Sequence, residues 1–352
     1  MYIKAKCLSE LINIKPITYD DLRKNILNIF TQRVYIPKSI RRYPDRTKVF
    51  IYLLKCEHVY QYIVTSLGCI ARLPKTNMLH SFYAELINIA SDNMYDKLIE
   101  ETALCIRIVT NLWKKYRKAI LRSTPNEAKA YAQEFIGRTM SIVKRKLKMM
   151  PILNEVIKTV KTTPCINFND PIIIVSGMPQ VGKSTLVGRI SSAKPLVSPY
   201  PFTTKNIIIG HIDFKYVKIQ IIDTPGLLDR SIDEMNEIER KAIAALKHLS
   251  SVVLYLIDPT QEAYYSFERQ ISSLKTVEQL IGKEKIIIVL NKIDKTSKEL
   301  LISYENMLKY SGYSDIVMIS ALHGINIEEL VYKAISKYDE LYHTNYKQFL
   351  HK

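Results

Sequence analysis

Residues 177–185 read GMPQVGKST, in which a glycine is followed after four residues by Gly-Lys-Ser. Gly177 and Gly182 permit the backbone angles that turn successive N–H groups toward an anion, and Met178, Pro179, Gln180 and Val181 carry the loop between them. Lys183 would reach the β and γ phosphates of a nucleotide, and Ser184 would offer its hydroxyl to Mg²⁺. Thr185 lies in a following helix whose positive end faces the same phosphates. The pattern recurs by chance, but here it is preceded by the strand-like PIIIVS and followed by a helical stretch.

Three more groups share that chemistry. VKIQIIDTPG ends a strand at Asp223 and continues through Thr224, Pro225 and Gly226. A carboxylate there can hold a Mg²⁺ water, and a glycine N–H can approach a γ-phosphate unobstructed. SPYPFTTK places Phe202, Thr203 and Thr204 in a polar, proline-bearing loop. Such a loop can fold over the γ-phosphate and give a threonine hydroxyl to the metal. IIIVLNKID sets Asn291, Lys292 and Asp294 at the end of an apolar strand. Guanine carries N1–H and a 2-amino group side by side, and the Asp294 carboxylate can accept from both. Adenine has no such donor pair. Asn291 can tie this loop to residues 177–184, and the Lys292 stem can pack over the base. In SALHG, Ser320, the Ala321 N–H and Leu322 could buttress the guanine. The reading is GTP bound with Mg²⁺ held by Ser184, Asp223 and a threonine hydroxyl of the 202–204 loop. Lys183, Thr204 and Gly226 would take part in hydrolysis.

The elements that must position these residues follow from periodicity. Apolar runs at 172–175, 207–212, 219–222, 252–257, 286–290 and 316–319 read as six strands. Helical stretches begin near Lys183, Glu234, Gln261, Ser297 and Ile327, so strands and helices alternate. That predicts a largely parallel sheet with helices on both faces. Before it, 47–73, 93–121, 124–150 and a short stretch to Lys161 read as helices, the third opened by a capping box at Thr124 and Glu127. The expected organisation is an antiparallel helical bundle over 1–165, an α/β domain over 166–340 and a tail over 341–352.

Charge divides along the same line. The chain of 352 residues carries a net +17, of which residues 1–165 hold +16. That asymmetry points to a polyanion, either nucleic acid or an anionic membrane surface, the alternative being a solvated basic face. Its cations cluster at Arg41, Arg42, Arg46 and Lys48, at Lys114, Lys115, Arg117 and Lys118, and at Lys144, Arg145, Lys146 and Lys148. Tyr43, Trp113 and Tyr116 are interleaved. Exposed, they would stack on unpaired bases, and the alternative for Trp113 and Tyr116 is the core. No run of about 18 apolar residues marks a membrane span. The five scattered cysteines read as reduced thiols of a cytosolic protein.

GMPQVGKST, YPFTTK, GHIDFKY, IIDTPGLLD, AIAALKHLSSVVLYLIDPT and NKID, with SFYAELINIA, KKYRKAI and FIGRTMSIVKRKLKMMP before them, resemble the nucleolar GTP-binding protein 1 family of Obg-related GTPases. The likeness covers roughly residues 80–335 and is most similar to short archaeal members. It implies a cytoplasmic GTPase, monomeric off the ribosome, that assists assembly of the large ribosomal subunit. Its helical domain would dock on ribosomal RNA and not on a membrane. Through the likeness Thr204 is the threonine that ligates Mg²⁺, and Asp223 is the aspartate of the DTPG motif. Two departures stand out. Gln180 replaces the asparagine that helps hold a monovalent cation in several relatives, which argues against potassium stimulation. Leu227 occupies the position where many GTPases orient water with glutamine, a trait this family shares. Slow intrinsic turnover is expected, or else a non-catalytic, GTP-dependent scaffold on the assembling particle. A regulatory GTPase of membranes or of tRNA modification is the third possibility.

Overall fold

The computed structural model describes residues 7–15, 17–192, 195–214, 216–225, 227–228 and 235–350. They group into two compact units, one of Ser9–His80 with Ala90–Lys161, the other of Ser81–Ile89 with Thr162–Lys352 and a short N-terminal piece.

The first unit is helical. Its long helices are Pro44–Ala71, Tyr95–Leu121 and Pro125–Lys146, followed by Met150–Thr162. Pro44 and Pro125 each open a helix, where the missing N–H costs nothing. The expected capping box is formed, with the Thr124 N–H donating to Glu127 Oε2 at 2.8 Å. Helix Tyr19–Thr31, capped by the Thr18 hydroxyl, was not foreseen. Its apolar stripe is thin, since only Leu22 and Ile26 are buried. Helices Pro44–Ala71 and Tyr95–Leu121 pack together, and Cys56, Val59, Ile63 and Leu67 of the one and Cys105, Val109 and Trp113 of the other are buried. Trp113 packs on Phe135 at 5.4 Å between ring centroids and on Tyr60 at 5.9 Å. Trp113 and Tyr116 are therefore core residues. The lysines and arginines of 114–118 remain exposed around them.

The second unit is a sheet of seven strands, one more than the sequence pattern showed. They are β1 Ile172–Ser176, β2 Leu196–Pro199, β3 Asn206–Asp213, β4 Lys218–Asp223, β5 Ser251–Ile257, β6 Ile286–Leu290 and β7 Ile316–Met318. The order is β2-β3-β4-β1-β5-β6-β7, with the β2–β3 and β3–β4 pairings antiparallel and the rest parallel. β2 escaped the pattern because it is a short, mostly exposed edge strand ending in a proline. β1, β5 and β6 are buried along their whole length, as parallel strands covered on both faces must be. Helix Phe267–Ile281 starts later than expected, at the Ser266 cap and not near Gln261. Helix Glu237–Ala244 starts at the Asn236 cap, and Glu234 lies outside the described residues.

One cysteine expectation fails. Cys7 and Cys165 form a disulfide, although 158 positions separate them. Pairing depends on proximity in space, and their Cα atoms are 4.5 Å apart, so scatter along the chain was no guide. Cys56, Cys69 and Cys105 are free thiols, and burial pushes Cys56 up to about 12 and Cys105 to about 11. Among the described residues no helix is long and apolar enough to cross a membrane.

Candidate nucleotide-binding site

The chain leaves β1 toward β4 on one side and β5 on the other, so a crevice opens at the carboxyl ends of these strands. Gly182, Lys183, Ser184, Asp223, Asn291 and Asp294 lie at or just beyond those ends. Loop 177–182 leaves β1, and Lys183–Ile190 is the helix it opens. The Lys183 ammonium is buried and donates to the carbonyl oxygens of Gly177 at 2.5 Å and Met178 at 2.8 Å. Those two bonds hold the charge at the loop, beside the helix N-terminus. Met178 and Val181 are buried and anchor the loop, whereas Pro179 and Gln180 are exposed.

Asp223 ends β4 beside Val175 of β1 and is fully buried. Ser184 Oγ lies 3.4 Å from Asp223 Oδ2. A hydroxyl and a carboxylate at that separation are hard oxygen donors of the kind Mg²⁺ takes together with phosphate and water. Among the described residues no cluster of three His, Cys, Asp or Glu could hold a metal ion. Thr224 fastens the turn by donating from both N and Oγ1 to the Val175 carbonyl. Pro225 follows it, and Gly226 lies outside the described residues.

Phe202, Thr203 and Thr204 sit in the β2–β3 hairpin. Its base is fixed by buried Tyr200, whose hydroxyl donates to the Ala242 carbonyl at 2.8 Å. The Thr203 hydroxyl lies 3.0 Å from the Tyr200 carbonyl and accepts from the Lys205 N–H, so it shapes the turn. Thr204 is exposed and makes no hydrogen bond to Ser184 or Asp223. The structure thus joins Ser184 to Asp223 and leaves Thr204 apart from them.

Asn291 stitches three loops together. Its Nδ2 donates to the Val181 carbonyl at 2.8 Å, and its Oδ1 accepts from the Ala321 N–H at 2.9 Å. The expected tie to the phosphate loop is present. The Ala321 N–H, expected to face guanine, is engaged by Asn291 instead. Asp294 receives a hydrogen bond from Ser320 and has His323 Nε2 at 3.6 Å. The Ser320 hydroxyl, then nearby backbone and cationic groups, hold the Asp294 carboxyl below its ordinary range. It stays ionised and acceptor-only at neutral pH. Gly182, Thr185, Asn291, Lys292, Asp294, Ser320, Ala321 and exposed Leu322 line one cavity of about 220 Å³.

Asp258 was missed in the sequence. It follows β5, is buried, and pairs with Lys292 Nζ, which also donates to the Gln180 carbonyl at 3.0 Å. Thr260 donates to Asp258 Oδ1 from both N and Oγ1, and Gln270 brackets the Asp258 backbone. Lys292 is thereby stretched between the phosphate loop and a fixed carboxylate. A lone acid in IDPT resembles any strand-to-loop turn, and only its pairing reveals its role. Asp258→Ala should weaken GDP binding about tenfold, because the stem of Lys292 loses its tether. Asp258→Asn, still an acceptor, should lose less. Equal GDP affinity of Asp258→Ala and wild type in titration calorimetry would contradict this assignment.

A family model described as nucleolar GTP-binding protein 1 matches residues 237–294, and one described as its N-terminal helical domain matches residues 36–167. A nucleolar GTP-binding protein 1 of Drosophila melanogaster is 35% identical over 223 residues, 63% of this chain and 34% of that one. An uncharacterized protein of Methanocaldococcus jannaschii is 32% identical over 269 residues, 72% of this chain and 74% of that one. A crystal structure from Plasmodium falciparum, titled as a nucleolar GTP-binding protein 1, is 33% identical and covers 51% of this chain and 91% of its own, with a TM-score of 0.44. The chain spans about a third of the length of the fly relative.

Proposed function

The chain belongs to the nucleolar GTP-binding protein 1 family, and from that premise we propose that it is a GTP-hydrolysing switch that acts in assembly of the large ribosomal subunit. The observation that carries the nucleotide part is the single cavity shared by Gly182, Asn291, Asp294 and Ser320. It brings a phosphate loop and a purine-reading carboxylate to one crevice. Loop 177–182 and Lys183 bind and orient the β and γ phosphates. Ser184 and Asp223 would hold Mg²⁺, which supplies charge neutralisation on the phosphates when bound. Asp294 selects guanine, and Asn291 keeps the base-reading loop in register with the phosphate loop.

The exposed cations of the helical unit support docking on ribosomal RNA. Lys114, Lys115, Arg117 and Lys118 stand outward from a helix whose apolar face is buried, so their charge is available to phosphates. Lys146 is committed to Glu101 at 2.8 Å, whereas Lys144, Arg145 and Lys148 remain exposed.

Leu227 is fully buried and apolar, so it cannot orient an attacking water. Single-turnover hydrolysis of GTP should therefore be slow for the isolated chain. Assembling large-subunit particles should accelerate it by about tenfold or more, by supplying or positioning a polar group. Unchanged rates with particles present, with GTP still bound, would favour the second reading, which Leu227 also supports. In that reading the protein is a GTP-dependent scaffold that holds a place on the particle without turnover.

A further inference from the structure

We propose that residues 33–48 form a stacking platform for unpaired RNA nucleotides, with Tyr35 and Tyr43 as its two rings. The inference rests on the RNA-docking reading above and specifies which kind of RNA this part of the helical unit takes. Six cations stand here against one carboxylate, Asp45: Arg33, Lys38, Arg41, Arg42, Arg46 and Lys48. All six are exposed, and none forms an ion pair among the described residues. Tyr35 is 76% exposed and Tyr43 58%. A single exposed tyrosine is ordinary, but two within one basic segment, each beside its own arginine, are not explained by packing.

The rings are mounted on fixed backbone. Ile36, between them in sequence, is buried, and Arg41 Nε donates to its carbonyl at 2.8 Å. That bond leaves the Arg41 guanidinium carbon 5.6 Å from the centroid of the Tyr35 ring. Tyr43 is the cap of helix Pro44–Ala71, and Thr47 Oγ1 lies 2.9 Å from both the Ile40 and Tyr43 carbonyls. Arg46, one turn into that helix, sets its guanidinium carbon 5.6 Å from the Tyr43 ring. A ring with an arginine beside it can take a base on its exposed area while the cation meets the adjoining phosphate.

The geometry points to unpaired nucleotides and not to a duplex. Bases in an A-form helix are stacked on one another and cannot be offered face-on to a side chain, whereas loops and bulges can splay theirs out. The cluster at 114–118 lacks this capacity, because Trp113 and Tyr116 are buried in the core. It can supply charge only. The two basic regions should therefore differ in what they read.

The test uses the full chain with two RNAs of equal phosphate number, a hairpin with an unpaired loop and a blunt duplex, titrated at several salt concentrations. Wild type should prefer the hairpin. Tyr35→Ala and Tyr43→Ala should each weaken hairpin binding about tenfold and leave duplex binding and the salt slope unchanged. Tyr43→Phe should behave as wild type, since the ring face is kept. Arg42→Ala should instead lower the salt slope by about one for both RNAs. Both tyrosines are exposed, so their alanine variants should keep the wild-type circular dichroism. Hairpin binding that survives loss of both rings would overturn the platform and leave RNA docking standing. Wild type binding neither RNA would overturn both.

Discussion

Asp294→Asn should cost about a hundredfold or more in GDP affinity and give xanthosine diphosphate the tighter binding. The carboxylate is the only side chain of NKID able to accept from N1–H and the 2-amino group together. The Ser320 hydrogen bond and the His323 ring at 3.6 Å favour its ionised form, so at neutral pH it has no proton to donate. An amide at the same place offers one acceptor and one donor. Guanine then faces a donor with a donor, while xanthine, with an oxygen at position 2, is matched. The Asn291 side chain bonds to Val181 and Ala321, so a change at Asp294 leaves its tie to the phosphate loop intact. Titration of both diphosphates into wild type and variant gives the two ratios directly. A variant that keeps the wild-type preference for guanine would mean that Asp294 does not read the base.

Much of this site was legible in the sequence, for a definite reason. Gly182 and Asn291 lie in short loops leaving strands, and Lys183, Ser184 and Asp294 in the helical turns that follow at once, so local spacing alone brings them to one crevice. What could not be read depends on neighbours far along the chain. Asp258 matters because Lys292, 34 residues away, reaches it. Cys7 pairs with Cys165 because the fold brings the ends of a long excursion together. β2 lies at an exposed edge, so burial left no periodic mark on its sequence. Trp113 and Tyr116 lie in a helix rich in lysine, and their neighbours left surface and core both open. The helix is amphipathic, and its apolar stripe turns both rings inward against Phe135. Six strands of the sheet were visible because their apolar runs are buried.

Gly182→Ala should abolish measurable nucleotide binding, a loss of about a hundredfold or more, through one methyl group. Gly182 has φ +99°, a conformation that costs an L residue about 1–3 kcal/mol. A Cβ there would also stand 2.3 Å from Asn291 Nδ2. Asn291 cannot retreat without giving up its bonds to Val181 and Ala321, each between buried groups. Lost buried hydrogen bonds cost about 1–3 kcal/mol apiece, so strain and unpairing together reach several kcal/mol. The damage falls on the phosphate loop and on both base-reading loops at once, because Asn291 is where they meet. Gly188 provides the internal comparison. It lies in the helix Lys183–Ile190 that Gly182 caps, and a Cβ there meets nothing within 4 Å. Gly188→Ala should raise thermal stability slightly, by about 0.5–1 kcal/mol, with GDP affinity unchanged. Lost binding at one and unchanged binding at the other, for two Gly→Ala changes six residues apart, is what the left-handed turn and the Asn291 contact require. Normal GDP binding by Gly182→Ala would show that neither constrains the loop.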